Sequence, residues 1–301
     1  MVASGEVVNR ISCGVAGWSY PDWKGYVYEP GVKDELRHIA GYVDMIEINS
    51  SFYRPPSART VRSWAERTAD LPGFFFTAKL HQDVTHRGRL EAGMLQAFRE
   101  GFEPLAGCGR LRHLLAQFRY DFADTPETRA HLRQIHSGFG DITNIAYELR
   151  HSSWQSPGAL QYVGELGGTV ANLDYPLAHN SFNVPVCTVG DHAYFRLHGR
   201  NSKAWFSQGS GRDETYNYAY PANEVDEIVR RAVAIASMTK SLTLVANNHY
   251  QGKEAVTILQ VKSILTGKRV PVPPQLARKY PALESIRAAP PDQRQAFLPL
   301  G

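Results

Sequence analysis

Short apolar and β-branched runs recur eight times along this chain, and amphipathic stretches fill most of the gaps between them. Few folds accommodate that rhythm. The runs are ISCGVAGW, VDMIEINSS, GFFFTAKL, LRHLLAQFR, NIAYELRH, GTVANLDY, HAYFRLHG and SLTLVANN. The helical stretches are KDELRHIAGYV, SARTVRSWAERT, EAGMLQAFREGFEPLAG, TPETRAHLRQIHSG, SPGALQYVGELG, NEVDEIVRRAVAIASMTK and GKEAVTILQVKSILTG, read from their apolar spacing. In TPETRAHLRQIHSG, Thr125 is the expected N-cap, Pro126 the first helical position and Gly138 the stop. PLAHNSFNVPVCTVGD, after the sixth run, has no helical period and predicts an irregular connection between strands six and seven. Strand and helix alternating eight times within 301 residues predict an α/β fold, a (β/α)8 TIM barrel. A doubly wound sheet would call for G-x-G-x-x-G after its first strand, and GVAGW lacks that spacing. Residues 1–10 read as an N-terminal extension, 11–267 as a single barrel domain, and the Pro-rich 268–301 as an extended or loose tail.

The strands share a second pattern. Each runs from apolar residues into polar ones, often as an i, i+2 pair: Glu47 and Asn49, Thr77 and Lys79, Gln117 and Arg119, Glu148 and Arg150, Asn172 and Asp174, Arg196 and His198, with Asn247 and Asn248 ending the eighth. The residues inside the pairs are apolar: Ile48, Ala78, Phe118, Leu149, Leu173 and Leu197. Side chains alternate across a strand, and the outer wall of a barrel must pack on helices. The apolar set therefore faces out, and the polar set converges on the C-terminal mouth, where barrel enzymes keep their sites. Buried ion pairs among these residues would also use up polar groups. Such pairs stabilise weakly compared with apolar packing, so polar ends on seven strands point to a ligand site.

The residue types bound the chemistry. Glu47, Glu148, Asp174 and His198 are the catalytic candidates, as acids, bases and a proton carrier near neutral pH. Lys79, Arg150, Arg196 and Arg200 suit an anionic ligand, with Asn49, Gln117 and Asn247 to orient it. Trp18 and Tyr53, in the aromatic loops GWSYPDWKGYVYEP and NSSFYRPPS, offer stacking surfaces, though such rings also plug barrel tops. The loop WFSQGSGRDETYNYAY after the seventh strand is a candidate lid. The same Glu47, Glu148, Asp174 and His198 are the only ligand set for a divalent metal, an alternative the neighbouring arginines disfavour. Three readings stand open: an enzyme for a small anionic substrate, a metal-dependent phosphodiesterase or nuclease acting on nucleic acid, and a non-catalytic barrel that binds a metabolite or partner.

Composition narrows little further. A net charge of +4 is too mild to indicate nucleic acid by itself. Cys13, Cys108 and Cys187 lie far apart with no C-x-x-C, so no zinc or thioredoxin-type motif is supported. No run is long and apolar enough to span a bilayer, and the N-terminus lacks a signal-peptide core; a cytoplasmic location is expected, with no membrane partner. Oligomeric state and cofactor are not legible.

GVAGWSYPDWKGYVY, EINSSFYRPPS with the following Trp64, FFFTAKLHQDVTH, LLAQFRYDF, YELRHSSW, NLDYP, RLHGR and NN together resemble the YecE-like proteins, a widespread domain of unknown function. The resemblance runs from about Gly14 to about Gly267. It implies a TIM barrel with a site at these positions and supplies no reaction. LLAQFRYDF departs from it, since the family more often carries a Pro-Pro-Ser-Phe-like segment after the Gln, which sets Arg119 apart from the shared elements.

Overall fold

A computed structural model of the chain describes residues 4–207, 209 and 211–288. Its strands are β1 (Ile11–Val15), β2 (Met45–Ile48), β3 (Phe75–Lys79), β4 (Leu111–Gln117), β5 (Asn144–Glu148), β6 (Thr169–Val170), β7 (Asn172–Asp174), β8 (His192–Leu197) and β9 (Ser241–Ala246). All pairings are parallel. The sheet runs β6-β5-β4-β3-β2-β1-β9-β8-β7. Only Ala171 separates β6 from β7, so the two ends of the sheet belong to one continuous stretch of chain. Its first half pairs with β5 and its second with β8. The nine segments therefore make eight staves of a barrel, and the fold is the expected α/β TIM type.

The main helices of the outer ring are α1 (Glu35–Ala40), α2 (Ala58–Arg67), α3 (Ala92–Ala106), α4 (Pro126–Phe139), α5 (Pro157–Glu165), α6 (Ala222–Ser237) and α7 (Lys253–Thr266). Thr125 caps α4 with a reciprocal capping box through Thr128, and Pro126 opens it. Gly138 does not end this helix; it continues through Phe139 and Gly140 forms the cap. No helix follows β7 before β8, and residues 175–191 form an irregular connection. Of the tail expected to be extended or loose, residues 268–288 are described, while 289–301, like residues 1–3 of the expected N-terminal extension, lie outside the described residues. Pro274–Lys279 is helical, Pro281–Ile286 is a 3-10 turn, and Val270, Val272, Leu276 and Leu283 are buried against the barrel.

Two apolar layers follow from strand alternation. Ile48, Ala78, Phe118, Leu149 and Leu197 lie in the large cluster shared with the helices. A smaller cluster fills the barrel interior: Ala16, Met45, Phe75, Leu115, Ala146, Ala171, Leu173, Tyr175, Tyr194 and Val245. The sixth stave thus turns Ala171, Leu173 and Tyr175 inward and Asn172 and Asp174 outward, the reverse of the expected parity. The absent helix between β7 and β8 is the reason. The outer face of β7 instead meets the connecting backbone and Arg231 of α6, and Asn172 pairs with Cys187 in both directions, donating from Nδ2 to its carbonyl (2.8 Å) and accepting its N–H (2.7 Å).

Candidate functional site

The inward polar residues sit one step above the interior apolar layer, at the strand ends. Arg196 of β8 is their centre and has no exposed surface. Its Nη2 and Nε donate to Glu47 Oε1 (2.6 Å) and Oε2 (3.1 Å), and its Nη1 to Glu148 Oε2 (2.5 Å) and Gln117 Oε1 (3.0 Å). Tyr194, two residues earlier on the same face, donates to Glu47 Oε2 (2.8 Å) and lies 2.8 Å from Thr77 Oγ1. Arg150 closes on the remaining oxygen of Glu148, with Nε at 2.8 Å and Nη2 at 2.6 Å from Oε1. Burial pushes the Glu148 carboxyl upward, but Arg196, Arg150 and His198 outweigh it and hold the group well below the usual carboxylate range. Burial likewise opposes the charge of Arg196, and Glu47 and Glu148 overcome it.

His198 is fully buried. Asn247 Nδ2 donates to its Nδ1 (3.2 Å), which leaves Nε2 to carry the hydrogen toward Glu148 Oε1, 3.3 Å away. Desolvation, partly offset by Glu148, lowers its pKa to about 4. The imidazole is therefore held in its neutral form at neutral pH.

Lys79 ends β3 on the same inward face. Its Nζ lies over the Phe52 ring, 4.4 Å from the centroid. Among the described residues it has no ion-pair or hydrogen-bond partner, since the nearby carboxylates are already matched to arginines. Burial and the charge of Arg196 lower it to about 8, with Glu47 and Glu148 opposing. Beside it, His86 is pulled down to about 4, first by burial and then by the charges of Lys79 and Arg150.

The rest of the expected set is scattered. Asp174 and Arg200 face away from the mouth. Arg200 Nε and Nη2 bind Asp174 at 3.0 and 2.8 Å, and Arg231 and Tyr220 bind the same carboxylate at 3.1 and 2.8 Å. The outward parity of the sixth stave puts them there. Tyr53 is 64% exposed, and its neighbour Phe52 supplies the ring beside Lys79. Trp18 packs edge-on against Trp64 at 5.3 Å and joins the outer core. Arg119 pairs with Asp121 at the surface, and Asn248 turns outward to Thr257 of α7 (3.1 Å). Without Asp174 the expected metal-ligand set is broken, and among the described residues no group of three or more His, Cys, Asp or Glu side chains is placed to hold a metal ion.

Sequence reasoning offered the loop after β8 as a candidate lid and missed a second feature of the mouth. Of that loop, residues 202–207, 209 and 211–220 are described, and its aromatic side chains lie over the mouth. Trp205, on the short helix Ser202–Phe206, lies 5.8 Å from the His198 ring and 5.5 Å from the Arg150 guanidinium, and Tyr216 meets both Trp205 (6.0 Å) and His249 (5.2 Å). The second is Glu254, in the first turn of α7 and fully buried. Gly252, at φ +78°, makes the left-handed turn into α7, and a Cβ there would lie 2.5 Å from Val27 Cγ2. This turn brings Glu254 beneath the end of β1, where Ala16 N–H donates to Oε2 (3.3 Å) while Oε1 has no partner. Burial, with Glu47 adding to it, raises its carboxyl well above the ordinary value. Asn49, which donates to the Ala16 carbonyl (3.0 Å), also leaves its Oδ1 unpaired. An acidic residue in a first helical turn usually reads as a solvated partner of the helix dipole, which hid Glu254. The inward parity of Arg196 was enough to find Tyr194.

Comparison with known proteins places this geometry among relatives. The profile described as "Protein of unknown function DUF72" matches residues 12–280. The "UPF0759 protein YunF" of Bacillus subtilis (strain 168) is 26% identical over 273 residues, covering 85% of this chain and 94% of that protein. The crystal structure of a DUF72 family protein from Thermotoga maritima MSB8 superposes with a TM-score of 0.75 at 28% identity, covering 85% of this chain and 99% of that one. A DUF72 family protein from Enterococcus faecalis V583 gives 0.75 at 25% identity, with 85% and 95% covered.

Proposed function

The chain belongs to the DUF72 family of proteins of unknown function, and from that premise we propose that its barrel mouth is an active site for a small anionic substrate, carboxylated or phosphorylated. We read the YecE-like resemblance as the same family under another name. One observation carries the proposal: both mouth carboxylates are matched to arginines, yet Lys79 remains unpaired at the rim beside Arg150. Arg150 spends Nε and Nη2 on Glu148, which leaves Nη1 as a donor. Two cations with unspent valence around one point suit an anion.

The roles shift from those suggested by residue type. Arg196, fully buried and bound through all three of its nitrogens, fixes Glu47 and Glu148 and does not touch substrate. Glu148, held ionised between two guanidiniums, orients Arg150. Proton transfer falls to Lys79, whose pKa near 8 suits general acid–base work, with Gln117, Asn49 and Asn247 lining the same mouth. Trp205 and Tyr216 exclude water from it. A triad of this kind is a poor stabiliser compared with apolar packing, which favours an active site over a passive barrel. No helix among the described residues is long and apolar enough to cross a membrane, and we propose a cytoplasmic location.

The test is a thermal-shift panel of sugar phosphates, sugar acids and 2-oxo acids on the full chain. A ligand at about a hundred times its Kd stabilises by about 2.7 kcal/mol. The stabilisation is expected to vanish in Arg150→Gln and to fade as pH rises through about 8. A panel in which no anion stabilises the protein, or a shift that survives Arg150→Gln unchanged, would refute it.

A further inference from the structure

We propose that Lys79 is a carbonyl-condensing amine, whose Nζ forms an imine with a small 2-oxo acid while the adjacent carboxylate rests on Arg150. This deepens the anionic-substrate reading and depends on it. The geometry points to it because a lysine kept only for its charge would sit against an open carboxylate. Lys79 does not: Glu47 is taken by Arg196 and Tyr194, Glu148 by Arg196 and Arg150, and the Lys79 Nζ faces the Phe52 ring at 4.4 Å. The guanidiniums beside it supply permanent charge. Lysine is the one cation of the cluster that can release a proton and expose a lone pair.

The groups around it act in that direction. From β8 comes the charge of Arg196, from β5 that of Arg150 opposed by Glu148, and from β2 the opposing Glu47. Phe52 supplies an apolar wall, and His86, on the turn after β3, is neutral. With a pKa of about 8, roughly one Lys79 side chain in ten is free amine at pH 7, against fewer than about one in a thousand for an ordinary lysine. Lys79 Nζ and the His86 ring share the Phe52 ring, at 4.4 and 4.9 Å from its centroid. A 2-oxo acid, with its carbonyl carbon bonded directly to its carboxylate, is the ligand that would use both Lys79 and Arg150.

The step balances without a further reagent. The amine lone pair attacks the carbonyl carbon and forms the C–N bond. The carbonyl oxygen then leaves as water with the two amine hydrogens, and the product is the imine. Nothing is oxidised or reduced.

The experiment treats the full chain with pyruvate and sodium cyanoborohydride and maps the reduced secondary amine by peptide mass spectrometry. The hydride comes from the reagent and only traps the imine. Lys79 is expected to be labelled ahead of the other eight lysines, at a rate that rises with pH to half its maximum near 8. Inorganic phosphate should slow the labelling, and Lys79→Met should abolish the dominant adduct. Labelling of Lys79 no faster than of the exposed Lys240 overturns the imine. If the thermal-shift panel still finds an anion dependent on Arg150, that failure belongs to the imine alone. Equal labelling of Lys79 by pyruvate and by neutral acetone, in the wild type and in Arg150→Gln, overturns the oxo-acid assignment and the anionic reading with it.

Discussion

Lys79 is expected to destabilise the fold that carries it. Its pKa falls from 10.5 to about 8, and each unit is worth about 1.4 kcal/mol between the two protonation states. Holding the ammonium in the mouth therefore costs at most about 3.5 kcal/mol. Lys79→Met keeps a long unbranched side chain against Phe52 and removes the charge. The variant should be more stable at neutral pH, and for a chain of this size about 3.5 kcal/mol corresponds to roughly 5 °C in Tm. The pH dependence is the sharper part. Below about 8 the folded and unfolded chains both hold the proton, and the penalty is present in full. Between about 8 and 10.5 the folded wild type sheds its proton first, the unfolded chain binds more, and wild-type stability rises with pH. The advantage of Lys79→Met is thus complete at pH 7 and decays through that window. Urea melts of both proteins at about pH 7 and about pH 10 measure it, and groups common to the two cancel in the difference. A variant less stable at neutral pH, or an advantage equal at both pH values, would refute the claim that an unpaired ammonium sits in this mouth.

Two further substitutions separate the parts of the cluster. Arg196→Met strands Glu47 and Glu148 without their shared partner, and should cost about 3–5 kcal/mol in a denaturant melt; a loss under about 1 kcal/mol would mean that the triad is not formed. Glu254→Gln keeps an acceptor for the Ala16 N–H and removes a carboxyl that burial holds protonated. The unfolded wild type ionises above about 4.5 while the folded chain keeps its proton, so the Gln variant should gain on the wild type as pH rises past that value. Parallel stability curves for the two proteins would show that Glu254 ionises normally.

The barrel was legible because its two periods are strong. Alternation along β2, β3, β5 and β8 is clean, so Glu47, Lys79, Glu148, Arg196 and His198 converge as their parity requires. The sixth stave broke the inference. Parity can be counted from sequence, but which face is inward is inferred from the apolar set, and that inference assumes a helix outside. The irregular connection was visible in PLAHNSFNVPVCTVGD, and its consequence follows from physics already in hand. With no helix between β7 and β8, the outer face of β7 meets the connecting backbone and polar side chains, so Asn172 and Asp174 serve Cys187, Arg200, Tyr220 and Arg231 of α6 instead. What no pattern discloses is which charges are spent. Lys79 and Arg196 look alike as basic residues at strand ends, and only the three-dimensional partners show Arg196 held by two carboxylates and Lys79 unpaired among the described residues.

That difference also bears on the choice between an anion and a divalent cation, and supports the anion we propose. A metal needs carboxylate oxygens turned toward it, at least two and usually more. Glu47 presents Oε1 and Oε2 to Arg196, while Glu148 presents Oε2 to Arg196 and Oε1 to Arg150. Every one of these oxygens faces a guanidinium. Recruiting them would require Arg196 to leave a site where it has no exposed surface, and would set its charge, with those of Arg150 and Lys79, against the incoming ion. The reverse case needs no rearrangement. Two carboxylates against Arg196, Arg150 and Lys79 leave one positive charge in excess, and that excess lies on the two residues with donors still free. The cluster is a neutral core with a cationic edge, and this arrangement supports the anionic ligand we propose.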